Sequence, residues 1–198
     1  MKNFIKAVFF LIVVTSVCFA NQSLMQYARS GNTYGIQKSI KAGVSVSEKD
    51  AVGQTALMWA GQYGHVNTVK YLIEQGADVN SVNIYGINTL MLSSFFGHKA
   101  IVEILVEKGA SVNIVNDSGE TALMMAASQG QDEIVLYLIK NGADVNIRDK
   151  EGYAAIDISY QAGYGKINRI LTKYGAVITK ERAITSNYGV SVDAQVVE

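Results

Sequence analysis

The sequence predicts an all-α solenoid of about five helix-turn-helix-loop units, each 33 residues long. Three observations predict it. First, glycine recurs at a fixed interval. Gly31, Gly64, Gly97, Gly130 and Gly163 form one ladder, and Gly43, Gly76, Gly109, Gly142 and Gly175 form a second. Gly53, Gly86, Gly119 and Gly152 form a third, with no insertion anywhere. Second, apolar residues keep the same register. Leu57, Leu90, Leu123 and Ile156 share one column, Leu72, Leu105, Leu138 and Leu171 another, and Val79, Val112 and Val145 a third. Third, proline is absent while 14 of the 18 glycines lie on the ladders, so glycine supplies the backbone stops. A helix ends readily at a glycine because only glycine takes the left-handed conformation there at little cost.

Taken along the chain, residues 1–20 come first, MKNFIKAVFFLIVVTSVCFA. Lys2 and Lys6 precede an apolar stretch from Ala7, and Cys18 and Ala20 are small residues at the spacing of a cleavage site. This pattern predicts a secretory signal peptide cut after Ala20. The apolar run is shorter than the roughly 20 residues a membrane span needs. Removing it takes away Lys2, Lys6 and Cys18, the single cysteine, and leaves a mildly acidic, thiol-free chain. Such a chain suits an oxidising compartment and has no cysteine nucleophile.

Residues 21–180 are read as the repeat domain, with units at about 21–52, 53–85, 86–118, 119–151 and 152–180. Each unit holds two short apolar-periodic stretches that stop at ladder glycines, followed by an extended loop. Thr55 and Thr121 stand where a hydroxyl can cap the first helix by accepting an early backbone N–H. The first unit is divergent, with Tyr27 at a position that is otherwise small. The last carries Tyr160 at the second small position, which fits a unit with nothing stacked beyond it. Residues 181–198 leave the period and form a tail.

The repeated motifs resemble the ankyrin repeat family. Its pattern is a loop Asp, a Gly, T-P-L-H-x-A-A, then G-H, a second helix and G-A-D-V-N. The second unit has Asp50, Gly53, Thr55-Ala56-Leu57-Met58, Ala60-Gly61, Gly64-His65 and Gly76-Ala77-Asp78-Val79-Asn80. The third has Asn83, Gly86, Thr89-Leu90-Met91, Gly97-His98 and Gly109-Ala110-Ser111-Val112-Asn113. The fourth has Gly119, Thr121-Ala122-Leu123-Met124, Ala126-Ala127 and Gly142-Ala143-Asp144-Val145-Asn146, and the fifth begins at Asp149 and Gly152. Two departures stand out. The family's Pro is replaced by Ala56, Thr89, Ala122 and Ala155, and its His by Met58, Met91, Met124 and Asp157. Apolar contact should therefore replace that histidine's hydrogen bond in three units.

The sequence offers little to catalysis. Hydrophobic residues make up 49% and charged residues 17%, which excludes wholesale disorder. Lys and Arg number 17 against 17 Asp and Glu, so nothing draws the chain to nucleic acid. His65 and His98 sit at matching places one unit apart, and two histidines so placed do not complete a zinc site. The resemblance implies a structural role for both. Asp50, Asp78, Asp144 and Asp149 recur by unit and read as loop hydrogen-bonders rather than an acid–base pair. Gly163-Tyr164-Gly165 opens like a phosphate loop, but Asn168 stands where a third glycine is required. No catalytic residue, metal site or cofactor is expected.

The resemblance implies that another protein binds the concave face through loop tips and first helices. The candidate residues are Trp59, Tyr63, Ile84, Tyr85, Leu92, Phe95, Phe96, Met125 and Tyr153. Tyr85 and Phe95 are expected to be exposed; Trp59 and Phe96 either face the partner or pack between helices. The expected protein is a non-catalytic monomer exported to a bacterial periplasm, or secondarily to the medium, with no membrane span once the signal is removed. Alternatives are an accessory or protective partner of a periplasmic enzyme, and a secreted effector that acts on host proteins.

Overall fold

A computed structural model describes residues 24–178. The predicted signal peptide, residues 1–20, and the tail, 181–198, lie outside the described residues. Within them are ten helices in five antiparallel pairs and no strand beyond two isolated bridges, Lys49 with Thr55 and Val82 with Asn88. The first pair is α1, residues 24–30, and α2, Thr33–Lys41. Then follow α3 (Ala56–Gln62) with α4 (Val66–Glu74), and α5 (Thr89–Phe95) with α6 (Lys99–Glu107). The last two pairs are α7 (Ala122–Ser128) with α8 (Asp132–Lys140), and α9 (Ala155–Gln161) with α10 (Gly165–Lys173).

Helices of seven and nine residues are too short to hold in water alone, so packing must maintain them. The repeated apolar columns supply that packing. Leu57, Leu90, Leu123 and Ile156 are buried, as are Leu72, Leu105, Leu138 and Leu171. Each unit's apolar face is covered by its neighbours, the one-dimensional arrangement of a solenoid. First helices pack against one another more extensively than second helices do. Small side chains allow this: Ala60, Gly61, Ser93, Ser94, Ala126 and Ala127 line that contact. At Gly61 an added Cβ would lie 2.4 Å from the methyl of Thr89, so glycine there makes room for the threonine that stands in the family's proline place.

The fourteen ladder glycines are the residues with positive φ, and no other described residue has it. At Gly119 (φ 83°) a side chain would also strike the next loop, 2.9 Å from the Lys150 backbone nitrogen. Thr55 and Thr121 cap α3 and α7 as expected, accepting from the N–H groups of Met58 and Met124 at 3.2 Å. Asn88 caps α5 through Met91. Met58, Met91 and Met124 are buried, so apolar packing does replace the histidine hydrogen bond.

Neighbouring units are also joined by repeated hydrogen bonds. Asn80, Asn113 and Asn146 each reach across, donating to the carbonyls of Gly109, Gly142 and Gly175. Their side-chain oxygens accept from Ser111, Asp144 and Val177. His65 and His98, whose Nε2 atoms donate to the carbonyls of Arg29 and Gln62 at 2.9 Å, do the same at the start of the second helix. On the second-helix side, Lys99 pairs with Glu133 and Glu103, and Lys166 with Asp132. Hydrogen bonding to Glu133 first, and then its charge, hold the Lys99 ammonium above its ordinary pKa.

The ends depart from the pattern. In the first unit Tyr27 lies over Gly35, where any Cβ would come within 2.6 Å of its ring. In the last, Asp157 occupies the methionine column. It is buried, accepts from the Ala154 N–H, and pairs with Arg148. Tyr160 is exposed at the position where Ser94 and Ala127 are buried by the next unit.

Candidate partner-binding surface

The loops between units project as fingers. An Asp or Asn side chain builds each one. Asp50 Oδ1 accepts from Val52 and Gln54, and Asp149 Oδ1 from Glu151 and Tyr153. Asn83 and Asn116 do the same for Tyr85 and Ile87 and for Ser118 and Glu120. These are the Asx turns that short polar side chains favour. Asp78 and Asp144 accept from Asn80 and Asn146. The recurring acids are thus spent on backbone, as their periodicity suggested. Adjacent tips then bond backbone to backbone: Ile84 to Val52, Asp117 to Tyr85 and Lys150 to Ser118. A row of fingers fixed in this way holds its tip side chains at set positions.

One tip carries two large exposed apolar residues, Ile84 at 58% and Tyr85 at 54%. Behind them, at the ends of α3 and α5, Tyr63 and Phe96 are exposed at 45% and 46%. Trp59 connects the two zones. Its indole N–H donates to Asp50 Oδ2 in the finger at 2.9 Å, and its ring stacks on Tyr63 with centroids 6.2 Å apart. Tyr63 continues to His65, and Phe96 to His98, in near-parallel ring pairs. The Arg29 guanidinium lies over Trp59, 4.4 Å from the ring centroid, and reaches Tyr63 at 5.9 Å.

The candidate residues therefore divide. Tyr63, Ile84, Tyr85 and Phe96 are exposed, while Trp59, Leu92, Phe95, Met125 and Tyr153 are half-buried. The expectation of an exposed Phe95 is corrected. Its ring meets Phe96 edge-on at 5.1 Å, and Phe96, one residue past the helix end, is the one turned outward. Trp59 is held between finger and helix end rather than free. Sequence reading missed Arg29, which lies 30 residues before Trp59 in the preceding unit; only the stacking of units joins them.

Farther along the same side, a cavity of about 400 Å³ opens between the last two fingers. Its lining includes Asp117, Glu120, Asp149, Lys150 and Glu151, together with Met124 and Ile158. Among the described residues no group of His, Cys, Asp or Glu could hold a metal ion, and no helix is long and apolar enough to cross a membrane.

Comparison with known proteins agrees with this architecture. The family model for ankyrin repeats, in its three-copy form, matches residues 24–116 and again 90–182. No curated protein matches the chain. Ankyrin repeats generally serve protein–protein interaction and are typically non-catalytic. With its fingers, helical pairs and glycine ladders accounted for over that span, the chain belongs to the ankyrin repeat family.

Proposed function

We propose that this is an exported, non-catalytic binding module that grips one protein partner with the finger tips and first helices of its second and third units. One observation carries the reading. Tyr63, Ile84, Tyr85 and Phe96 are large apolar side chains left open to solvent on neighbouring units, on a scaffold whose repeated leucine columns are buried. Clustered exposed apolar surface marks interaction sites, and aromatic residues dominate binding hot spots. The leader of residues 1–20 supports export, with the periplasm as the first location and the medium as the second.

The test is cross-linking and co-purification of the tagged chain from its own cells. A captured protein should cross-link to residues beside the fingers built by Asp50 and Asn83. Capture should fall at least tenfold with Tyr85→Ser and Phe96→Ser combined, while circular dichroism is unchanged. Undiminished capture by the double variant would reject this surface. N-terminal sequencing of the periplasmic fraction should begin at Asn21; a cytoplasmic, uncut chain would reject export.

A further inference from the structure

Among the described residues, Arg29 is the cation seated on the aromatic stripe. The backbone is fixed because the Arg29 carbonyl accepts from His65 Nε2. The far end of the side chain is fixed because the guanidinium lies on Trp59 and next to Tyr63. Trp59 is itself immobilised by Asp50. Asp50, the acid of that network, is engaged elsewhere and forms no ion pair with Arg29. Asp50 Oδ2 holds the indole, and Oδ1 holds two backbone N–H groups. Among the described residues the ion pairs involve Lys99, Arg148 and Lys166, and none uses Arg29. Arg29 is nonetheless exposed, so its N–H groups stay open to a ligand, in the fork geometry that matches a carboxylate.

The geometry points to a specific partner chemistry. We infer that Arg29 is a carboxylate anchor, and that the bound segment presents an acidic group beside apolar or aromatic side chains. The acid would pair in plane with Arg29 while its apolar neighbours cover Tyr63 and Phe96. Preorganisation is what makes the site effective, because an arginine already held in place loses little freedom on binding. The inference rests on the binding surface proposed above and specifies what that surface takes.

Short random peptides displayed on phage, selected against the purified chain, test it directly. Enriched peptides should share an Asp, a Glu or a free C-terminal carboxylate next to Phe, Tyr, Leu or Ile. A synthetic peptide of the enriched sequence should bind Arg29→Gln about tenfold or more weakly by fluorescence anisotropy, the scale of a lost hydrogen-bonded charge pair. Arg29→Lys should recover only part of the loss, since an ammonium lacks the fork. Replacing the peptide's acid with its amide should cost the wild-type chain the same factor and cost Arg29→Gln nothing further. Amidating the C-terminus tells a terminal carboxylate from a side chain, and either source supports the anchor. Enriched peptides without an acid, no enrichment at all, or equal binding by Arg29→Gln would overturn it. If Arg29→Gln is silent while Tyr63→Ala and Phe96→Ala still weaken binding, the anchor fails and the surface stands. If all three are silent, both fail.

Discussion

The second and third units and the fourth and fifth share one backbone plan but present different surfaces. Where α3 and α5 end in Gln62-Tyr63 and Phe95-Phe96, α7 ends in Ser128-Gln129 and α9 in Gln161-Ala162. Where the earlier finger tips carry Val52 and Ile84-Tyr85, the later ones carry Asp117-Ser118 and Lys150-Glu151. Repeats thus provide their own control. Ser128 and Gln129 show that the backbone plan does not require rings at those positions. The polar half is not a weaker copy of the aromatic half. Its groove includes the carboxylates of Asp117, Glu120, Asp149 and Glu151, whereas the aromatic half carries an arginine over its tryptophan.

Substitutions can break or sharpen this contrast. The largest effect should come from Trp59→Ala, which removes a half-buried ring, its bond to Asp50 and the seat of Arg29. We expect a loss of about 3 kcal/mol in urea unfolding, against about 1 kcal/mol for Met125→Ala at the matching position. Similar losses from both would mean that the aromatic half has no special architecture. Next is Arg148→Met in the polar half, which strips the buried Asp157 carboxylate of a cationic partner. About 2 kcal/mol should go, measured at pH 7, because a buried charge is left with less compensation. Thr55→Ala should cost about 1 kcal/mol, the usual value of an N-cap hydroxyl. Ala154 stands at the matching place without a capping side chain, so Ala154→Thr should stabilise α9 by up to a similar amount. Ser94→Ala should raise stability by about 1 kcal/mol. The Ser94 hydroxyl is buried without a hydrogen-bond partner, and Ala127 already fills that place one unit later. The smallest change belongs to Phe96→Gln, which gives the third unit the fourth unit's residue. Stability should stay within about 0.5 kcal/mol. A clear loss would show that the exposed ring supports the fold after all.

The sequence displayed the scaffold more fully than the surface, for a physical reason. Glycine, leucine and threonine report on their own unit. A positive φ at Gly64, a buried Leu90 or a capping Thr121 each follows from local backbone and periodicity. Contacts between units leave no such local mark. The V-N column was visible at Asn80, Asn113 and Asn146, but nothing local says that each asparagine bonds to a chain segment about thirty residues on. Arg29 was hidden for the same reason. Phe95 and Phe96 failed differently. Neighbouring residues at a helix end point about 100° apart, so a one-residue uncertainty in where α5 stops decides which ring meets solvent. Asn88 as the cap of α5 was readable in principle, since asparagine is among the favoured N-caps and stands where the flanking units have threonine.

The asparagine bridges carry a mechanical consequence. Because Asn80, Asn113 and Asn146 fasten successive units in the same manner, a chain pulled by its two ends meets nearly identical clasps one after another. Held in an optical trap, it should yield in a sawtooth of equal strides. Each stride would release one unit's worth of polypeptide, about 110 Å of contour. A molecule built this way gives ground in measured lengths under tension instead of snapping open at once.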